Sequence, residues 1–203
     1  MHGVKATMAP TLAVLCLLLA GCAAPAEPGS SAHISSSSDA LPEHCSPRPN
    51  PWPSPFMHRG NATHDDKLAE VGDRVPEFAG LTVDEPRKAA MVRVTDGKDE
   101  TARTALEAYR DVMGGGGLEG YKAVAVKVSY SWHQLKTWYD TANQAGAWQD
   151  GVTLGDIDEL ENRIHYGASD PDQVRECIAA VMRHYDIPDD AWHLDRQDPV
   201  ELL

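Results

Sequence analysis

Val83-Asp84-Glu85 and Ile157-Asp158-Glu159 stand 74 residues apart, and Thr95-Asp96 has its counterpart in Ser169-Asp170 at the same offset. Around both matches the local pattern agrees. A strand ends at Asp-Glu, a short turn follows, a second strand comes next and a helix then starts. The first copy predicts strands over 78–83 and 89–94 and a helix over 100–113; the second predicts strands over 152–157 and 163–168 and a helix over 171–185. A chain that writes one supersecondary unit twice must fold by repeating it, which restricts the architecture more than any single motif.

The remaining elements come from capping and periodicity. Ser131 as N-cap with Gln134 at N3 makes a capping box, backed by an apolar staple between Tyr130 and Leu135, and Gly146 suits the far end of that helix. Asp170-Pro171 supplies an N-cap followed by proline at N1, with Pro188 just past the end. Val174, Cys177, Ile178, Val181, Met182 and Tyr185 recur at i, i+3, i+4 and i+7, one buried face of a helix. Residues 122–130 alternate, with Val124, Val126, Val128 and Tyr130 on one face and Ala123, Ala125, Lys127 and Ser129 on the other, a half-buried strand. A last short strand is predicted over 191–194. The expected class is α+β: one mixed sheet with about three helices on one face, in the order ββαβαββαβ, with a weak two-fold internal repeat.

The N-terminal part is of another kind. Lys5 precedes an apolar run over 11–20, which ends Leu19-Ala20-Gly21-Cys22. The run is too short for a membrane span, which needs about 20 residues, and suits a signal-peptide core. The small-small-cysteine ending resembles the lipobox of bacterial lipoproteins. That resemblance implies cleavage before Cys22, lipidation of its thiol, and a protein held on the extracytoplasmic side of the cell membrane; two or more acyl chains give stable anchorage. Residues 22–60 hold eight prolines and eight serines, a composition that cannot bury enough apolar surface to order itself. The expected organisation is a signal peptide over 1–21, a Pro/Ser-rich disordered tether over 22–75 and the α+β domain over 76–203.

Phe78-Ala-Gly-Leu-Thr-Val-Asp-Glu85, Val92-Arg-Val-Thr-Asp96, Tyr130-Ser131-x-x-x-Leu135, and the stretch from Gly151-Val152 through Asp158-Glu159-x-x-Asn162-Arg163 resemble the pro-domains of secreted alpha-lytic-type serine proteases. The resemblance covers roughly 76–200. It implies a folding and inhibitory role in that family and engagement of a protease through the C-terminal region. No protease sequence and no Gly-Asp-Ser-Gly motif accompany it here.

Charge and motifs narrow the function further. Eighteen basic against thirty-one acidic residues, a formal charge of −13, leave no basic face for nucleic acid. Gly114 to Gly117 leave a helix and enter a strand, the reverse of a phosphate loop, so they read as a helix end. His44, Cys45, His58 and His64 cluster within the tether, and with no HExxH and no paired CxxC no metal or cofactor is expected. Ser131 and His133, two apart at a helix start, point in different directions. Asp150, Asp156, Asp158, Glu159 and Glu161 read as a solvated hairpin edge without the calcium-loop pattern. Cys45 and Cys177 could pair in an oxidising compartment, but the place of Cys177 on an apolar helix face predicts a buried thiol.

With no catalytic constellation, a non-enzymatic domain that binds an envelope or secreted protein is expected. The alternative is a small-ligand or polysaccharide binder using Trp132, Trp138 and Tyr139. Trp192-His193-Leu194, as a terminal strand that can be an edge, is the expected partner-binding element. A core role would instead bury Trp192 and Leu194 and turn His193 outward.

Overall fold

The computed structural model describes residues 42–45, 47, 63–115 and 117–198. The expected signal peptide, Cys22 and most of the expected tether lie outside the described residues. From residue 63 the order is α1 (His64–Arg74), β1 (Phe78–Asp84), β2 (Ala89–Val94), α2 (Asp99–Val112), β3 (Lys122–Lys127), α3 (Trp132–Gln144), β4 (Val152–Asp158), β5 (Arg163–Ala168), α4 (Pro171–His184), a single 3-10 turn (Asp189–Ala191) and β6 (Trp192–Arg196).

The class is α+β, but the strands form two sheets of three, ordered β1-β2-β3 and β4-β5-β6, in place of the expected single sheet. In each, an antiparallel hairpin is extended by a parallel third strand after a helical crossover. Alternation along 122–130 identifies a strand but cannot say which strand it pairs with. β3 closes its own repeat on β2, so β4 has to begin a second sheet. Among the described residues the helices number four, because α1 precedes the order read from sequence.

The repeat is therefore larger than the matched dipeptides indicated. It is αββαβ, written twice, with α1 and α3 in equivalent places. At the offset of 74, Asp84 pairs with Ala89 as Asp158 pairs with Arg163, and the register slips at Phe78/Gly80 as it does at Val152/Leu154. Lys88 (φ 49°) and Asn162 (φ 55°), in the two hairpin turns, share a left-handed backbone.

Helix α1 occupies residues assigned by composition to the tether. Thr63 caps it through a reciprocal box with Asp66, and Leu68 and Val71 are fully buried. A box of two satisfied donors and two buried aliphatic side chains, each worth about 1.5–3 kcal/mol, outweighs the polar composition around them. Residues 64–74, expected in the tether, thus belong to the same buried core as the rest of the domain. A further part of the expected tether is also held: Pro47 bridges Gln149, and Cys45 is bonded to Cys177 with an S–S distance of 2.07 Å. The expected free thiol at Cys177 is corrected by that bond. Cys177 does lie on the buried face of α4, and Cys45 is what reaches it.

One core joins both repeats. Val174, Ile178, Val181 and Met182 of α4, Phe78, Val92 and Val94 of the first sheet, Ile164 and Tyr166 of the second, and Trp132 and Leu135 of α3 belong to a single buried cluster. In β3 the alanines, Ala123 and Ala125, pack against this core, while Val124 is 38% exposed. Small side chains let α2 lie close over the strand, so the larger valines take the opposite face.

Candidate functional site

Among the described residues the third strand of each sheet is an edge, since β3 pairs only with β2 and β6 only with β5. The four sheet edges are not equally open. The Gly155 carbonyl of β4 accepts a hydrogen bond from the Tyr139 hydroxyl at 2.8 Å, and Gly80 of β1 lies against the Glu159 side chain. β3 starts and ends on Lys122 and Lys127, the charged ends that discourage edge pairing. β6 has no strand on its outer side among the described residues. The Gln197 amide donates to the Ala168 carbonyl, so alternation along the strand turns the backbone groups of Asp195 and His193 toward β5 and those of Leu194 and Arg196 toward the free edge.

Of the expected binding residues, Leu194 is buried in the core and Trp192 packs against it. His193 points to the opposite face, where β5 contributes His165 as its register partner. The two imidazole rings stack with centroids 4.2 Å apart and 17° between planes. His165 Nε2 lies 2.9 Å from Asp195 Oδ1, and the Nδ1 atom of His193 is buried with no hydrogen-bond partner among the described residues. Burial holds His193 below its ordinary pKa, with His165 and Arg163 adding to the effect and Asp195 and Asp158 opposing it. Sequence reading missed this group because its members are brought together only by the parallel register of β5 and β6.

A groove of about 450 Å³ follows the seam between the repeats, lined by Arg93, Val126, Tyr130, Leu160, Arg163 and Asp190 among others. Asn162 holds its floor: Oδ1 accepts from the Ser129 and Tyr130 amides, and Nδ2 donates to the Tyr130 carbonyl. The Tyr130 hydroxyl donates to Asp190, and burial together with that bond pushes its pKa up to about 12. Burial also lifts the Glu159 carboxyl above its ordinary range, with His64 pulling against the lift and Asp156 adding to it. Asp65 is raised by burial first and by Asp156 second.

The other sequence candidates resolve into structural roles. Cys45 is spent in the disulfide, His44 sits 3.4 Å from Glu176, His64 opens α1, and His58 lies outside the described residues. Ser131 accepts the Gln134 amide as an N-cap, and exposed His133 faces Asp73 at 3.9 Å. Trp132 is 1% exposed, and Trp138 and Tyr139 pack against the core, Trp138 edge-on to Tyr130. Gly114 and Gly115 terminate α2 with positive φ, their amides bonded to Asp111 and Arg110 carbonyls.

No protein-family model matches the chain, and no curated protein matches it.

Proposed function

We propose that this chain is a lipid-anchored, extracytoplasmic, non-enzymatic domain that captures a protein partner by adding one of the partner's strands to β6. The observation that carries the reading is the free outer edge of β6, with the backbone groups of Leu194 and Arg196 turned away from β5. Strand addition takes its affinity from backbone pairing and its selectivity from alternate side chains. Trp192 and Leu194 fix the strand on the core, so selectivity falls to His193 and Asp195 on the opposite face. The lipobox-like Leu19-Ala20-Gly21-Cys22 supports the anchor, and the resemblance to protease pro-domains supports binding through the C-terminal region.

The test is Arg196→Pro beside Arg196→Ala, each followed by crosslinking capture from the native envelope. Arg196 is exposed and its amide faces the free edge, so proline there removes a donor without touching the core. Capture lost with proline and kept with alanine, at unchanged thermal midpoint, supports the reading. Capture retained by the proline variant overturns it.

A second reading, small-ligand binding, rests on the seam groove. Its volume is within the range of ligand sites, and Arg93, Lys127 and Arg163 line it together with Glu161 and Asp190, Glu161 being paired with Arg163, which would suit a small polar ligand that engages the arginines. Substitution of both arginines by Gln would abolish binding of such a ligand and leave capture through β6 untouched.

A further inference from the structure

We propose that His165, His193 and Asp195 form a binding site for a divalent transition-metal ion of the zinc class. The site shares His193 and Asp195 with the face assigned above to partner selectivity, but metal binding there does not require that a partner docks on β6. Its geometry comes from strand register alone. His165 and His193 are direct partners across β5 and β6, and Asp195, two residues beyond His193, shares their face. One ligand atom from each of the three lies within 4.8 Å of the other two. Two ligands on a tetrahedral zinc ion at its usual bond lengths stand on the order of 3.3 Å apart. The 2.9 Å His165–Asp195 contact therefore has only to open slightly, and the third group to close by a rotamer adjustment.

The chemistry fits the same ion. Two imidazoles and one carboxylate are the donor set of open zinc sites, with the remaining position left to water. Imidazole ligates when neutral, and the two rings lie stacked with centroids 4.2 Å apart, on the same face as the Asp195 carboxylate. Coordination through His165 Nε2 uses that nitrogen's lone pair, with the single proton of the neutral ring on Nδ1, and replaces its contact with Asp195; no oxidation state changes. A plain His165–Asp195 ion pair would account for neither the stacked second imidazole nor its buried, unpartnered Nδ1, a costly arrangement that coordination of that ring would offset. The site is reachable, since the His165 side chain is 19% exposed and that of Asp195 55%.

The experiment is titration of the purified full chain, carrying Cys16→Ser and Cys22→Ser to remove competing thiols, with Zn²⁺ alone at pH 7.5. Calorimetry is expected to show one saturable site, lost in His165→Ala and in His193→Ala, weakened at least about tenfold in Asp195→Asn, and unchanged in His133→Ala. Ring-nitrogen NMR of the parent gives a readout that does not depend on any variant folding: Zn²⁺ must shift the His165 and His193 signals together. Absence of a saturable site, survival of the site in either histidine variant, or shifts confined to other histidines overturns the proposal.

Discussion

Asn162 and Tyr130 are joined in both directions: the Tyr130 amide donates to Asn162 Oδ1 at 2.9 Å, and Asn162 Nδ2 donates to the Tyr130 carbonyl at 2.8 Å. A side chain here does what a neighbouring strand does elsewhere. Because Asn162 sits in the β4–β5 turn and Tyr130 just before α3, this pair pins the hairpin of the second repeat to the chain leaving the first. Asn162 also carries φ 55°, a backbone that asparagine tolerates better than most residues.

Asn162→Ala is expected to destabilise the domain by about 2–4 kcal/mol, since it orphans the Ser129 and Tyr130 amides and adds backbone strain. Asn162→Gly removes the same bonds without the strain and should fall about 1 kcal/mol short of the alanine variant. Urea denaturation of the pair separates the two effects; equal losses would show that the backbone contributes nothing.

The Cys45–Cys177 bond closes a loop over a sequence separation of 132. Neither thiol should react with an alkylating reagent in denaturant until a reductant is added. Cys177→Ser should lower stability by about 3–5 kcal/mol, chiefly by freeing the unfolded chain. Intact mass spectrometry showing alkylation at Cys177 without reductant would rule out the bridge.

Glu159 makes the fold pH-sensitive in a defined direction. Its folded pKa lies above the unfolded value, so the folded state holds its proton longer. Stability from this group is full at acid pH and is lost as pH rises through the folded pKa. Glu159→Gln should therefore raise the thermal midpoint at pH 7.5 and leave it nearly unchanged at pH 4. A gain that is equal at both values would mean that the carboxylate charge is not what burial penalises.

Cys22→Ala tests the anchor. The parent should incorporate a labelled fatty acid and sediment with membranes, while the variant should do neither. Equal labelling of the two would remove the lipobox from the account.

What sequence could reveal depended on how local the signal was. The buried face of α4, from Val174 to Met182, is written in one helix and is present as the period indicated. The strand pairs 78–83 with 89–94 and 152–157 with 163–168 were legible for the same reason, each being a hairpin. Helix α1 was missed although Thr63-His-Asp-Asp66 ahead of Leu68 and Val71 carries a cap signal, because the Pro/Ser composition upstream dominated the reading. Which face of β3 is buried was not legible, since burial there depends on how closely α2 approaches. His165 and His193 lie a whole crossover helix apart in the chain, and only the parallel register of β5 and β6 makes them neighbours.

The disulfide also sets the length of a leash. In a chain held at Cys22, the folded body is tied first at Cys45, so 23 peptide units span the gap, at most about 80 Å fully extended. A pull on the lipid would then enter the domain through α4 and bypass both the stretch before Thr63 and α1. Reduction leaves the Pro47–Gln149 bridge as the next tie, and were that also to open the leash would reach Thr63, 41 units and about 140 Å at full extension. In a chain so anchored, one covalent bond would decide how far from the bilayer the domain can search, and which helix bears the load when it meets resistance.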